Sequence, residues 1–230
     1  MRSDTRLAGI DLRSVSVELD GRPVLAEVEL SLTAARIAVI GANGSGKSTF
    51  ARLLNGLIEP TTGSVGVLGL DSVRDRTALR RRVGFVFTNP DAQILMPTPA
   101  EDLALSLRGR DRRVVDRLVA ETLAGHGLAD HADVPASALS GGQKQMLALA
   151  SVLITEPELI VADEPTTLLD LRNARRIGDL LLEQEAQVVL VTHDLELAGR
   201  CETAVLFEDG RVADVGEPAE LIRTYRRMAA

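Results

Sequence analysis

Apolar and polar residues alternate through 12–19 (LRSVSVEL) and 24–32 (VLAEVELSL). A period of two predicts strands with one buried face, and Asp20-Gly21 between them signals a hairpin. RIAVI (36–40) is a short apolar run, read as a buried strand that ends at a glycine-rich turn. A helix is predicted over 49–56, then a strand at SVGVLG (64–69). VGFVF (83–87) closes this β-rich third, and Asn89-Pro90-Asp91 breaks it abruptly. Between 97 and 139 the spacing becomes helical in PAEDLALSL and RRVVDRLVAETLAGHG, which reads as a helical insertion of about 94–156 in one domain covering 1–230. Strand and helix then alternate: ELIVA (158–162), LLDLRNARRIGDLLLEQ (168–184), QVVLVT (187–192) and DLELAGR (194–200). Such alternation predicts a parallel sheet with crossover helices. AVLFEDGRVADVG reads as a closing hairpin around Asp209-Gly210, and EPAELIRTYRRMA as a terminal amphipathic helix.

Composition narrows the class. With 230 residues at 45% hydrophobic, the chain can bury a sizeable core. Its 26 basic and 33 acidic side chains leave a net charge of −7, which argues against a general nucleic-acid binder. A single cysteine, Cys201, excludes an internal disulfide and a zinc cluster and points to a reducing compartment. The opening MRSDTRLAGIDLRS lacks the apolar core of a signal peptide, and no apolar run approaches the ~20 residues that span a bilayer. Any membrane role is therefore expected to come through partners.

Directly after RIAVI stands Gly41-Ala42-Asn43-Gly44-Ser45-Gly46-Lys47-Ser48-Thr49, which contains a full GxxxxGK[ST] phosphate loop. Its glycines let successive N–H groups curl around phosphate oxygens, and the following helix dipole favours the anion. Lys47 would neutralise the β- and γ-phosphates, and the Ser48 hydroxyl would ligate Mg²⁺. A metal needs an acidic partner, and ELIVADE supplies Asp163 at a strand end. Glu164 beside it is the candidate base that polarises the attacking water. On their own, two such carboxylates could simply solvate a strand end; the phosphate loop shifts the balance to catalysis. His193, at the end of the next strand, is placed where sites form in parallel sheets and could contact the γ-phosphate.

Leu139-Ser140-Gly141-Gly142-Gln143 heads the run KQMLALASVLI and offers a second anion cradle of glycines, a hydroxyl and a helix N-terminus. With GANGSGKS, LSGGQ, ELIVADE, PTTLLD and His193 in this order, the chain resembles the nucleotide-binding domain of ABC transporters over almost its whole length. The resemblance implies an α/β P-loop NTPase with a RecA-like mixed sheet core, an antiparallel β subdomain and a helical subdomain. It also implies ATP and Mg²⁺ as cofactors and a head-to-tail dimer. In such a dimer Ser140, Gly141, Gly142 and Gln143 complete the partner's ATP site, and Asp170 communicates across the interface. One copy of each motif requires a second ATPase subunit, expected to be an identical chain.

Within that family, FTNPDAQ (87–93), FARLLNGLIEPTTGSV and AEDLALSL resemble ATPases of energy-coupling-factor importers, and the GRPVL…FARLLNGL framing is most similar to the biotin type. This implies a transmembrane coupling protein docked on 94–108 and a separate substrate-binding membrane protein. The expected location is peripheral, on the cytoplasmic face of the inner membrane. The solute is expected to be a vitamin or transition-metal ion, with biotin ahead of cobalt or nickel. The alternative is a soluble ABC ATPase of DNA repair or translation, but such relatives carry coiled coils, zinc modules or two cassettes. A P-loop kinase or GTPase would have no use for LSGGQ.

Two positions depart from the family pattern. The first hairpin carries no aromatic residue to stack on adenine, so Leu19 or Val17 is expected to give only an apolar contact. Thr88 stands where the family places a glutamine that senses Mg²⁺ and the membrane subunit. Gln93, five residues on, is the candidate for part of that coupling role.

Overall fold

This computed structural model describes residues 9–228. Residues 1–8, most of the stretch read as lacking a signal-peptide core, and 229–230 lie outside them. Two sheets share the chain. The first is antiparallel, in the order β2 (Arg22–Leu32), β1 (Ile10–Leu19), β4 (Thr62–Val67), β5 (Leu70–Asp71). Asp20 and Gly21 both take positive φ, 51° and 72°, the mirror-image turn that matches strand twist in a two-residue hairpin.

The second sheet holds β10 (Arg211–Gly216), β9 (Thr203–Glu208), β3 (Arg36–Gly41), β8 (Gln187–Val191), β7 (Leu159–Asp163) and β6 (Val83–Val86), in that order. Five of these strands are parallel; β10 runs antiparallel to β9. Strands β3, β7 and β8 are buried almost throughout, which is why they read as unbroken apolar runs rather than alternating ones. Ile37, Val39, Val189, Val191, Val205 and Phe207 face α1 (Lys47–Leu53) and the antiparallel sheet, where Phe50 and Phe207 meet at 5.2 Å. Ala38, Ile40, Ile160, Val188, Leu190 and Leu206 face the helices. Those are α3 (Pro99–Ser106), α4 (Arg112–Gly125), α5 (Gly141–Leu153), α6 (Leu171–Leu182), α7 (Leu195–Ala198) and α8 (Pro218–Met228). This is the α/β P-loop architecture with a mixed core sheet, an antiparallel β part and a helical part.

Boundaries differ where caps decide them. The first helix starts at Lys47, two residues before the expected position, because the phosphate loop itself turns the chain into α1. The helix expected from 168 begins at Leu171, since the Asp170 side chain accepts the Asn173 N–H and closes its N-terminus. A seven-residue helix, α2 (Arg76–Arg82), was not legible: it buries only Leu79 and has no apolar period to detect. No helix among the described residues is long and apolar enough to cross a membrane.

Candidate active site

The phosphate loop joins the C-terminal end of β3 to α1. Gly41 has φ 145° and Gly46 φ 99°, and a Cβ on either would meet its neighbours too closely: the Phe207 carbonyl at 2.2 Å and Leu25 Cδ2 at 2.5 Å. No other residue fits these two positions. Lys47 is buried, and its ammonium donates to the carbonyls of Gly41 at 2.8 Å and Ala42 at 2.9 Å, so it sits within the curl of the loop. Burial lowers its pKa, opposed by the negative charges of Glu164 and Asp163.

Parallel pairing of β7 with β8 brings the remaining groups alongside. Ser48 Oγ donates to Asp163 Oδ1 at 2.9 Å, although 115 residues separate them. Asp163 is 2% exposed, and burial raises its carboxyl above the ordinary value despite the Ser48 hydrogen bond and the Arg52 and Lys47 charges. A hydroxyl and a carboxylate oxygen are hard donors, and no cluster of three or more His, Cys, Asp or Glu that could hold a metal exists among the described residues. That pair fits Mg²⁺, which binds through one or two protein oxygens and takes the rest of its shell from phosphate and water. When bound there it would neutralise charge on the phosphate oxygens.

Glu164 carries φ 52°, in the left-handed region that non-glycine residues rarely adopt. Its N–H donates to the Val191 carbonyl at 2.9 Å, so β8 holds the strained residue in place. Its carboxylate contacts His193 Nδ1 at 2.6 Å and accepts from Thr167 Oγ1 at 2.9 Å. Two strand ends thus put Glu164 and His193 in one hydrogen-bonded pair beside Asp163, Ser48 and Lys47. Such an arrangement can bind a triphosphate, hold a divalent cation and orient a water for in-line attack.

Other residues singled out in the sequence fall elsewhere. Thr88 Oγ1 donates to the backbone carbonyl of Asp163 at 2.8 Å, bracing the strand end that carries that carboxylate. The side chain of Gln93 bridges two elements: Oε1 accepts the Phe87 N–H at 3.1 Å, and Nε2 donates to the Ala148 carbonyl at 2.7 Å and lies 3.3 Å from Ser151 Oγ. Ser140 caps α5, and no hydrogen bond joins 140–143 to the phosphate loop among the described residues. Asp170 also holds the Asn173 amide at 2.9 Å. Val17 is fully buried in the core and cannot meet a base; Leu19 is 39% exposed.

The sequence reading missed three polar residues that shape this region. Asp102, buried, accepts the N–H groups of Leu95 at 2.8 Å and Met96 at 3.1 Å and so folds the 94–98 loop. Lys144 pairs with Asp91 at 2.7 Å. Tyr225, the only tyrosine, lines a cavity of about 230 Å³ with Ala42, Asn43, Gly44, Ser45 and Phe207, flanking the phosphate loop. None follows from helical or strand spacing: Asp102 reaches back six and seven residues to loop N–H groups, and the partners of Lys144 and Tyr225 are distant in sequence.

Comparisons with known proteins bear on the family and the fold. The family model described as ABC transporter matches residues 25–167. A provisionally named ABC transporter ATP-binding protein of Deinococcus radiodurans is 48% identical, covering 94% of this chain and 97% of its own. Biotin transport ATP-binding protein BioM of Rhizobium etli is 41% identical, over 96% of this chain and 99% of its own. Among solved structures, cbiO1 of Clostridium perfringens, part of the ABC transporter complex cbiONQ, superposes with a TM-score of 0.81 at 27% identity, covering 96% of this chain and 92% of that one. A dimeric ATP-binding cassette bound to ADP and Pi gives 0.80 at 29% identity, covering 91% and 98%. The chain belongs to the ABC transporter family, as an ATP-binding subunit whose ATP hydrolysis is coupled to transport.

Proposed function

We propose that this chain energises an energy-coupling-factor importer as a head-to-tail homodimer, with biotin as the favoured solute and cobalt or nickel next. One observation carries the dimer: the chain holds two phosphate-recognising surfaces, the 41–49 loop and Ser140–Gln143, with no hydrogen bond between them among the described residues. A second copy, rotated about a two-fold axis, would bring each signature onto the other's nucleotide. Lys47 holds the β- and γ-phosphates, Ser48 and Asp163 hold Mg²⁺, Glu164 polarises the water, and His193 keeps Glu164 in line. Leu19 gives the base an apolar contact without stacking, so ATP and GTP bind with comparable affinity.

The membrane partners dock on 94–108, at its N-terminal end. Leu95 is 72% exposed there, beside a groove of about 490 Å³ lined by Ile94, Met96, Pro97, Pro135 and Ala136 and bordered by the Lys144–Asp91 pair. An exposed leucine at the rim of such a groove suits the end of a helix from a transmembrane coupling protein. The subunit is then peripheral, on the cytoplasmic face of the membrane, with the solute chosen by a separate membrane protein. The likeness to BioM supports the biotin assignment. The test is co-expression with its native membrane partners: a retained transmembrane complex with ATP-dependent uptake of labelled biotin supports the reading, uptake of cobalt or nickel instead overturns the solute, and retained nucleic acid or ribosomes overturn transport.

A further inference from the structure

Gln143 of the signature faces two groups at once. Its Oε1 accepts the Ser140 N–H at 2.8 Å, while Ser140 Oγ accepts the Gln143 N–H at 3.3 Å, the reciprocal capping box of α5. This fixes the amide, with oxygen toward Ser140 and nitrogen away from it. The outward Nε2 lies 2.9 Å from Nε2 of His131, a residue of the single turn Ala129–His131. An amide nitrogen only donates, so the imidazole nitrogen must accept, and the ring is neutral with its proton on Nδ1. Nδ1 is buried and has no hydrogen-bond partner among the described residues. Among the described residues the ring's one side-chain hydrogen-bond partner is therefore the Gln143 amide.

We propose that His131 is the positioning residue of the signature, holding the Gln143 amide so that the cradle of Ser140, Gly141 and Gly142 stays ordered for the nucleotide of the partner. Protonation of the ring puts an N–H against the NH₂ of Gln143. The amide must then rotate, and the Ser140 N–H loses its acceptor, Gln143 Oε1. Charged groups nearby are Asp130 and Asp133 of its own segment and Lys144 on α5, whose ammonium is taken by Asp91. Glu101 of α3 and Arg112 and Asp116 of α4 line the groove beside Ala132 and Asp133. No salt bridge reaches the ring among the described residues. The proposal rests on the reading that the signature acts on the partner's ATP.

The experiment measures ATP-driven dimerisation of the full chain carrying Glu164→Gln, by sedimentation from pH 8.5 down to 5.5. In that background His131→Phe removes the acceptor, and His131→Gln puts a carbonyl oxygen near the former Nε2 that accepts at every pH. His131→Phe is expected to weaken dimerisation at pH 8 by about threefold to tenfold, one lost hydrogen bond per site, while its melting temperature holds or rises because the orphaned N–H is gone. The parent is expected to lose dimer as pH falls, and His131→Gln to level that loss. Undiminished dimerisation of His131→Phe, or an unchanged acid loss in His131→Gln, overturns the role of His131. Ser140→Arg separates the two layers: if it dimerises like the parent, the trans reading itself has failed.

Discussion

Replacing Gln93 by leucine keeps the packing volume and deletes the bridge between β6 and α5. The structure sets the size of the effect. Ala148 keeps an acceptor role without Gln93, since Ser151 Oγ also donates to its carbonyl at 2.9 Å. Phe87 N–H has no such substitute and is left half-buried without an acceptor. The cost of one such orphaned donor is about 1–2 kcal/mol, toward the low end because water partly reaches it. For a chain of this length that lowers the melting temperature by roughly 3–6 °C. Differential scanning fluorimetry of the nucleotide-free chain reads the shift, and steady-state ATPase titrated with Mg²⁺ reads the site. If Gln93 is a staple between the strand end and the signature helix, stability falls and the Mg²⁺ dependence of hydrolysis stays where it was. An unchanged melting temperature together with a displaced Mg²⁺ dependence would instead place the side chain at the metal.

Four further outcomes are expected. Glu164→Gln should lower turnover by about 10²–10⁴-fold, measured by phosphate release, while ATP still drives dimerisation because the phosphate and cation ligands remain. Thr88→Gln should raise the ATPase rate of the isolated chain, since the longer amide can reach the cation that the Thr88 hydroxyl, tied to the Asp163 carbonyl, leaves alone. Asp163→Asn should abolish Mg²⁺-dependent turnover yet raise the nucleotide-free melting temperature by up to about 5 °C. Burial holds the Asp163 carboxyl above its unfolded value, so its contribution to stability is present in acid and lost as pH rises through the folded value. The gain from Asn should therefore be largest near pH 8 and shrink in acid, a trend read by melting at several pH values. Finally, Cys201 is buried with its thiol pushed up to about 11, so it should label with maleimide at pH 7 only after denaturation.

The chemistry-bearing segments are legible in the chain because each is local. GANGSGKS needs only consecutive backbone groups, and ELIVADE and QVVLVTH place their polar ends by strand burial alone. The same locality made Asp20-Gly21 legible as a turn and RIAVI as a buried strand. Helix α2 escaped because its seven residues present one buried leucine and no period. Long-range packing assigns the roles of residues whose partners are far along the chain. Gln93 reads in the sequence as a coupling residue, but only packing reveals that its amide is spent between Phe87 and Ala148, 55 residues away. Val17 and Leu19 look equivalent two positions apart on one strand, and only the fold buries the first and exposes the second. His131 gives no motif signal, since its contact with Gln143 depends on how a single helical turn folds back onto the head of α5. Hydrogen bonds between side chains distant in sequence leave no periodic trace, so the structure alone assigns them.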